Sequence, residues 1–259
     1  MSTDNTARFS DRVDDYVKHR PGYPQAVVTY LHGVLGVDPR ATVADVGSGT
    51  GIFTQLLIDA GHTVFAIEPN TPMRAAAERL IGNRPGFISV AATAERTSLD
   101  DASVDLVTAA QAFHWFDVEG ARSEFSRILR PGGYVVLLWN DRREDGSDFS
   151  VEYQSLIDEY NTDLAVVDHR RLTRGDAVIE RFFGASGHRT ICFENRQRLD
   201  FEGLRGRLVS SSYIPAAGAP RHDEMIDELA ALHARHAVDG FVEISYETKV
   251  YYGRLEGRS

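Results

Sequence analysis

Cysteine is nearly absent from this chain, and no long apolar run occurs in it. The single cysteine, Cys192, excludes an internal disulfide and any metal site built from several thiolates. No apolar stretch approaches the roughly 20 residues that a helix needs to cross a bilayer, and residues 1–12 hold no apolar core of a secretory signal. We therefore expect a protein with a cytoplasmic location and no membrane contact.

Positive charge is also in short supply. The 259 residues carry 28 lysines and arginines against 38 aspartates and glutamates, which gives a formal net charge of −10. Affinity for nucleic acids depends largely on neutralising phosphates with Lys and Arg. Short basic clusters, such as Arg142 with Arg143 and Arg205 with Arg207, are interspersed with acids, which predicts solvated faces or single-anion contacts. The composition therefore argues against nucleic acid as a partner.

The chain shows a regular alternation between short β-rich runs and helical segments. Apolar and β-branched runs predict five strands in the first part, at residues 42–46, 63–67, 87–91, 104–109 and 134–139. Three helices are predicted between them, at residues 52–60, 71–81 and 118–129. The segment from Pro131 to Gly133 predicts a break before the fifth strand. Such alternation is typical of an α/β fold with a doubly wound, mostly parallel sheet.

The pattern changes after Asn140. Four further helices and two long strands are predicted, the helices at residues 149–160, 176–183, 203–211 and 223–236 and the strands at residues 189–199 and 242–255. The two strands would complete a seven-stranded sheet, and the helices would form a cap over its ligand-binding edge. We expect residues 1–259 to form a single domain, with a core at 40–140 and the cap and last two strands at 141–259.

A glycine-rich loop follows the first strand and precedes a helix. Residues 44–54 read ADVGSGTGIFT, with Gly47, Gly49 and Gly51 at alternate positions. Glycine lets the backbone turn sharply and approach a ligand closely, and the helix that begins here offers free N–H groups to a polar or anionic ligand. The dinucleotide fingerprint needs a glycine where Ile52 stands, so NAD is disfavoured. A purely structural turn remains the alternative at this point.

Two acidic residues follow the next strands. Glu68, in the run FAIEP, ends the second strand, where a carboxylate can accept hydrogen bonds from both hydroxyls of a ribose. Glu95 follows the third strand and could meet an adenine amino group, although an acid that complements a helix start is nearly as good an interpretation. A strand-end glutamate is usually solvated, so the weight of Glu68 comes from its spacing behind the glycine loop.

These pieces together resemble the ordered motifs of class I S-adenosylmethionine-dependent methyltransferases. The motifs are DVGSGTG, AIEP, AATAE and RILRPGG, which fall in this order within residues 40–140. The resemblance implies a Rossmann-like methyltransferase fold and S-adenosylmethionine as the cofactor. It also implies which residues contact the cofactor. The ribose would be held by Glu68, and the adenine would lie between Ala94 and Glu95. The methionine part would be lined by Asp45, Gly47, Gly49 and Gly51.

Two flanking motifs resemble a narrower group, the small-molecule methyltransferases typified by the trans-aconitate and cantharidin methyltransferases. They are FSDRVDDYVKHRPGYP at residues 9–24 and QAFHWFD at residues 111–117. By this resemblance residues 1–30 form a lid segment over the cofactor, with Tyr16 near the sulfonium and Arg20 near the carboxylate. An aromatic face attracts a cation, and arginine pairs well with a carboxylate. A core tyrosine and a surface arginine remain the alternative.

Residues that face the methyl acceptor are expected where the fourth and fifth strands end, because open α/β sheets bind ligands at the carboxyl ends of their strands. His114 is the candidate catalytic base or hydrogen-bond partner of the acceptor, with a structural role as the alternative. Gln111, directly after the fourth strand, is assigned to the cofactor-binding residues. Candidate substrate contacts, chosen by their placement, are Trp115, Asn140, Arg142 and Tyr213. Arg142 is the one best suited to a substrate carboxylate.

The sequence thus predicts transfer of a methyl group from S-adenosylmethionine to an oxygen or nitrogen of a small-molecule acceptor, without a metal ion. An enzyme acting on nucleic-acid amino groups would show an Asn/Asp-Pro-Pro-aromatic tetrapeptide after the fourth strand, whereas residues 111–115 read QAFHW. A cytosine C5 enzyme needs a nucleophilic cysteine there, whereas Cys192 falls in a late strand and is predicted to be a buried apolar side chain. A non-catalytic nucleotide-binding protein and a methyltransferase acting on a macromolecule remain the alternatives.

Overall fold

A seven-stranded sheet organises the chain. The structure is a computed structural model that describes residues 19–143, 147–162, 176–211 and 213–255. Its strands are β1 Thr42–Val46, β2 Thr63–Ile67, β3 Phe87–Val90, β4 Val104–Ala110, β5 Leu129–Arg142, β6 Arg189–Leu199 and β7 Val242–Gly253. Their order across the sheet is β3-β2-β1-β4-β5-β7-β6. The predicted α/β fold with a mostly parallel, seven-stranded sheet is confirmed.

Helices connect the strands and cover the sheet. Within the described ranges they are α1 Gln25–Gly33, α2 Ile52–Asp59, α3 Thr71–Ile81, α4 Val118–Ile128, α5 Asp148–Glu159, α6 Asp176–Phe183, α7 Phe201–Val209 and α8 His222–His236, with short 3₁₀ turns at Phe113–Trp115 and Gly184–Ser186. Side chains cap several helix starts, as when Asn70 accepts a hydrogen bond from the Met73 N–H. None of these helices is long and apolar enough to cross a membrane.

The order of the strands reverses next to β1, and this reversal positions the ligand-binding edge. β1 pairs in parallel with β2 on one side and with β4 on the other. The chain leaves β1 toward one side and returns on the other, so the carboxyl ends open into a crevice where α/β sheets bind their ligands. β7 runs antiparallel to both β5 and β6, so the far edge of the sheet is antiparallel.

Two apolar clusters cover the two faces of the sheet. One contains Leu138 of β5 together with Leu57 of α2, and the other contains Leu137 of β5 together with Phe125 of α4. Successive side chains of a strand point to opposite faces, so the neighbours Leu137 and Leu138 belong to different clusters although both are fully buried. The nearly continuous apolar run in β5 follows from this burial on both faces.

A third apolar cluster joins the C-terminal helices to the ends of the antiparallel strands. It contains Tyr153 of α5, Leu204 of α7 and Leu229 of α8, together with Tyr246 of β7. Tyr246 pairs in register with Arg142, the last residue of β5. The helices therefore form a cap beside the carboxyl end of β5, which is where the sequence predicts a helical cap.

The interpretation of the Pro-Gly-Gly segment needs a correction. The sequence predicts a break from Pro131 to Gly133, whereas β5 begins at Leu129 and runs through this segment. The irregularity falls in the pairing with β4, whose register shifts between Val104 and Leu106. Proline has no N–H to donate to the ladder, so the extra residues of β5 bulge without ending the strand.

One side chain and one helix start also differ from their predictions. Cys192 is exposed rather than buried, because β6 is the edge strand and its side chains mostly alternate between exposed and half-buried positions. Helix α7 begins at Phe201 rather than at residue 203. The Asp200 side chain accepts a hydrogen bond from the Gly203 N–H at 2.8 Å and thereby caps the helix at this earlier point.

Candidate functional site

A cavity of about 260 Å³ lies at the carboxyl ends of the first four strands. Its wall comes from the loops at those ends, with residues 47–50 after β1, 68–70 after β2, 93–95 after β3 and 110–112 at the end of β4. Tyr23, Trp115 and Phe116 also contribute to the wall. Because paired strands carry these loops, the sheet holds the polar groups of the wall in fixed relative positions.

The three glycines of the loop have different surroundings. Their φ angles are all positive, 69° at Gly47, 58° at Gly49 and 84° at Gly51. A Cβ on Gly47 would lie 2.5 Å from the Cβ of Ala112, and one on Gly51 would lie 2.8 Å from a side chain of α3. These two glycines therefore allow close packing of neighbouring segments. A Cβ on Gly49 would meet only Met73, at 3.9 Å, and would otherwise stand in the open cavity.

Asp45 does not belong to the cavity wall. Its carboxylate is fully buried and accepts hydrogen bonds from the hydroxyls of Thr54 in α2, at 2.6 Å, and of Thr108 in β4, at 2.8 Å. Burial raises the pKa of this carboxyl to about 6. Asp45 therefore links β1 to α2 and β4, and it supports the glycine loop from within. Gly51, at the start of α2, is likewise outside the wall, whereas Gly47 and Gly49 line it.

Glu68 connects the cavity wall to the glycine loop. Its Oε2 accepts a hydrogen bond from the Gly49 N–H at 2.9 Å, and its Oε1 accepts one from the Asn70 N–H at 2.7 Å. Burial raises the pKa of this carboxyl, although the two N–H groups oppose the shift. A carboxylate has about four acceptor positions, so Glu68 keeps acceptor capacity for hydroxyl groups of a ligand in the cavity that it lines.

Ala94 and Glu95 supply the part of the wall that follows β3. Ala94 is buried. The Oε1 of Glu95 accepts a hydrogen bond from the Asp117 N–H at 2.9 Å, which ties this loop to the start of α4. The structure thus brings Glu68 and Glu95, from two neighbouring strand ends, to one cavity.

Gln111 takes an unusual backbone conformation at the end of β4. Its φ of 58° lies in the left-handed region that few residues other than glycine adopt. Its N–H donates to the Leu138 carbonyl at 2.9 Å, and its side-chain amide donates to the Asn140 carbonyl at 3.1 Å. Such strain persists where the surrounding structure imposes it, and it is common at functional sites. Gln111 lines the cavity and connects it with the end of β5.

The two aromatic candidates after β4 lie in different places. Trp115 lines the cavity. His114 is buried, its ring lies 4.8 Å from that of Trp115, and it is not one of the residues that form the wall. The structure therefore gives His114 a position behind an aromatic neighbour, which favours the structural alternative for it.

The N-terminal segment is anchored to both the sheet and the cap. Tyr16, the predicted partner of the sulfonium, lies outside the described residues. Arg20 donates to the Ser210 carbonyl at 2.8 Å, in the cap rather than at the glycine loop. Asn140 donates its side-chain amide to the Gly22 carbonyl at 3.0 Å. Tyr23, which the sequence analysis missed, lines the cavity, and its place in the 9–24 motif is the signal that could have identified it.

Asn140 serves this anchoring rather than the cavity wall. Its Oδ1 accepts hydrogen bonds from the Thr248 hydroxyl and from the Asn195 amide, at 2.5 and 3.1 Å. Together with the bond to Gly22, these contacts use both ends of the amide within the chain. The structure therefore places this predicted substrate contact beside the cavity, between β5, β6 and β7.

The remaining substrate candidates lie where the cap meets the sheet, Arg142 at the end of β5 and Tyr213 in the loop between α7 and α8. Arg142 donates to the Gln154 side chain, and its guanidinium lies 5.2 Å from the centre of the Tyr153 ring. Burial alone would raise the pKa of Tyr213, but that pKa is lowered because the guanidinium of Arg207 lies nearby. Arg207 is itself buried in α7, so of the two alternatives predicted for its basic cluster, a solvated face or a single-anion contact, the solvated face is wrong for this residue.

Comparison with known proteins agrees with this architecture. A model of the methyltransferase domain family matches residues 44–137. An uncharacterized methyltransferase-like protein of Schizosaccharomyces pombe is 32% identical over 253 residues, which cover 96% of this chain and 95% of that protein. An uncharacterized methyltransferase of Mycobacterium tuberculosis is 38% identical over 141 residues, 54% of this chain and 55% of the relative. The chain thus spans about half the length of this second relative.

A solved structure shares the fold over nearly its whole length. The structure of a proposed type II methyltransferase from Anaeromyxobacter dehalogenans has a TM-score of 0.69 to this chain, at 24% sequence identity. The superposition covers 92% of this chain and 99% of that one. At this identity the similarity concerns the fold.

Proposed function

We propose that this chain, which belongs to the class I S-adenosylmethionine-dependent methyltransferases, transfers the methyl group of its cofactor to an oxygen or nitrogen of a small-molecule acceptor. Membership follows from the relative that matches along almost the entire chain and from the family model, and S-adenosylmethionine is the cofactor. The observation that carries the proposal is the cavity, whose wall combines Gly49, Glu68 and Glu95 from three neighbouring strand ends.

The residues of the cavity fit this cofactor. Gly49 leaves open the space that a Cβ would fill, and no side chain caps the start of α2, so its first N–H groups can meet polar atoms of a ligand. In this assignment the loop backbone holds the methionine part, Glu68 the ribose, and Ala94 with Glu95 the adenine. The bound cofactor supplies a methyl group on a sulfonium, which is already a good electrophile.

A small acceptor suits the way in which the cavity is enclosed. Tyr23 and Trp115 line it, and they come from the two motifs that resemble the trans-aconitate and cantharidin methyltransferases. Arg20 and Asn140 hold the segment before Tyr23 against the cap and the sheet. These contacts support assignment to that small-molecule subgroup. The task left to the protein is to align the acceptor and exclude water, and alignment alone contributes about 7–11 kcal/mol to such reactions.

The proposed function is tested by calorimetric titration followed by a transfer assay. The purified chain is expected to bind S-adenosylmethionine and S-adenosylhomocysteine and to leave NAD unbound. Small carboxylic acids and nitrogen heterocycles are then screened for release of S-adenosylhomocysteine together with a methylated product. Absence of cofactor binding would contradict the assignment of the cavity. Binding without transfer to any small acceptor would instead favour a non-catalytic protein or a macromolecular acceptor.

His114 is expected to be dispensable for methyl transfer. Because its side chain is buried and does not line the cavity, we expect His114→Gln to bind the cofactor normally and to retain kcat within about threefold of the native value, whereas loss of a general base typically costs about 10²- to 10⁴-fold. The measurement is kcat as a function of pH for both proteins. A loss of at least 100-fold, together with a vanished ionisation in the pH profile, would make His114 the base.

A further inference from the structure

A second cavity lies at the opposite end of the sheet from the cofactor cavity, where β1, β4 and β5 begin. This amino-end cavity has a volume of about 540 Å³ and is lined by residues 35–38, 40–41 and 130–134 together with Asp105 and Arg254. Arg254 follows directly after β7. Among the described residues, none lines both cavities. Open α/β sheets bind their catalytic ligands at the carboxyl ends of the strands, so the amino-end cavity is separate from the proposed methyl transfer.

Arginine is concentrated in the wall of the amino-end cavity, although the chain as a whole carries a net charge of −10. The guanidinium of Arg130 pairs with Asp105 at 2.7 Å. The other oxygen of Asp105 accepts a hydrogen bond from the Thr42 N–H at 2.8 Å. Asp105 is therefore engaged by the start of β1 and by Arg130, and it is not paired with the other arginines of the wall.

Arg254 and Arg40 are the two remaining cations. Arg254 lies over the ring of Tyr134, 4.6 Å from its centre, and donates to its hydroxyl at 3.1 Å. The Asp38 side chain accepts from the backbone N–H of Arg40 at 2.7 Å and closes the turn before β1. Within the described ranges, no carboxylate forms an ion pair with the guanidinium of either arginine. A guanidinium has five N–H donors, so both arginines keep donors for a ligand.

Two glycines leave the backbone uncovered in the same wall. Gly36 and Gly132 have positive φ angles of 69° and 84°, and a Cβ added to either would meet no atom within 4 Å. Both line the amino-end cavity. Glycine lets a ligand approach the main chain closely, so the cavity combines free guanidinium donors with an accessible backbone.

We propose that the amino-end cavity binds the phosphate group of a small phosphorylated molecule through Arg40 and Arg254. A phosphate monoester carries a charge of about −1.5 to −2 at neutral pH and three acceptor oxygens, so two guanidiniums from separate segments can contact it at once. The cavity volume lies within the range of about 300–1,000 Å³ that is usual for small-molecule sites. Leu35 and Val37, which also line the cavity, are suited to contact the organic part of the ligand.

The test measures the thermal midpoint of the full chain during titration with inorganic phosphate and with ribose 5-phosphate. Ribose, citrate and sodium chloride at equal ionic strength are the comparison solutes. Each titration is made with and without saturating S-adenosylhomocysteine, which fills the cofactor cavity. At least one of the two phosphate compounds is expected to raise the midpoint under both conditions, beyond the effect of any comparison solute.

Replacement of the two unpaired arginines gives the decisive comparison. Arg40→Gln and Arg254→Gln should each weaken the response to phosphate about 10- to 100-fold, because each removes a charged hydrogen-bond donor. Both side chains are exposed, so the variants should fold and bind S-adenosylhomocysteine as the native chain does. Arg205→Gln is the matched control, because it removes the same charge from an exposed arginine of α7, paired with Glu202 at 3.6 Å, and it should keep the native response.

The inference is overturned if neither phosphate compound exceeds the comparison solutes, or if both arginine variants keep the native response. An equal loss in Arg205→Gln would also overturn it, because the effect would then follow the overall charge. A response that disappears when S-adenosylhomocysteine is present would place the phosphate in the cofactor cavity and would overturn it as well. Failure of the native chain to bind S-adenosylhomocysteine would overturn the proposed function alone, because the titrations without it still test the amino-end cavity.

Discussion

Replacing Gly49 with valine is expected to weaken binding of S-adenosylmethionine at least about 100-fold, or about 2.7 kcal/mol, in a protein that stays folded. In the native chain a Cβ at this position would stand in the cavity, with only Met73 within 4 Å of it. The valine side chain would therefore occupy space that the cofactor needs, without a clash in the ligand-free protein. Because φ at this position is positive, 58°, a residue with a Cβ is strained there, and the free energy of unfolding of the variant should be lower by about 1–2 kcal/mol.

Gly240→Val provides the matched control for this substitution. Gly240 has a φ of 80°, a Cβ added to it would meet no atom within 4 Å, and it is exposed between α8 and β7. The same backbone strain should therefore appear there without any effect on the cavity. Both variants are compared by calorimetric titration and by thermal unfolding. If a folded Gly49→Val protein bound S-adenosylmethionine with native affinity, the cofactor could not bind in this cavity as proposed.

Replacing Glu124 with alanine is expected to lower the free energy of unfolding by about 3 kcal/mol at neutral pH. Glu124 lies on α4 and is buried. Its Oε1 accepts hydrogen bonds from the N–H and the hydroxyl of Thr97, at 2.7 and 2.6 Å, and from Arg127 at 2.8 Å, while its Oε2 accepts from Arg127 at 2.9 Å. Removing the carboxylate leaves the N–H and the hydroxyl of Thr97 and the Nε of Arg127 without their acceptor, which costs more than the contact itself contributes, although Arg127 keeps its bonds to Asp101 and to the Leu99 carbonyl.

The same network gives a pH dependence with a definite sign. Burial alone would raise the pKa of Glu124, but the hydrogen bonds from Arg127 and Thr97 lower it from 4.5 to about 2. A carboxyl whose pKa is lower in the folded state stabilises the fold fully above its unfolded pKa and loses that contribution as the pH falls. The stability difference between native protein and Glu124→Ala should therefore shrink as the pH falls from about 4.5 toward 2.

Denaturant titrations at pH 7 and at pH 3 measure this difference. Glu119→Ala is the control on the same helix, because Glu119 is 69% exposed and its ion pair with Arg181, at 3.5 Å, is a surface contact. That substitution should change the stability by less than about 1 kcal/mol at either pH. A constant difference between native protein and Glu124→Ala across this range would show that the carboxylate is not held as the structure indicates.

The regular elements of the fold were predictable because their signals are local. The apolar run 63–67 and the helix 71–81 have the same bounds in the sequence analysis and in the structure. The two late segments 176–183 and 189–199 also agree. Apolar and β-branched composition, together with a capping side chain or a breaker, is enough to define such elements without knowledge of the tertiary structure.

The positions of individual side chains in the site were less predictable, because they depend on segments distant in the chain. Gly47, Gly49 and Gly51 look alike in the motif, yet the approach of Ala112 and of α3 separates their roles. Arg207 belongs to a helix with many polar residues, and it is buried beside Tyr246 of β7, a strand distant in the sequence. No local pattern distinguishes it from Arg205, which is exposed on the same helix.

The position of β7 also sets the order in which the molecule can assemble during translation. Strands β1 to β5 all find a sheet neighbour among themselves, whereas β6 is synthesised before β7 and pairs in the described sheet with β7 alone. β7 also brings Tyr246 and Thr248 to the end of β5. A nascent chain can therefore complete the crevice at the carboxyl ends of β1 to β4 while the ribosome is still working, and it acquires the C-terminal cap helices and the antiparallel edge of the sheet only afterwards.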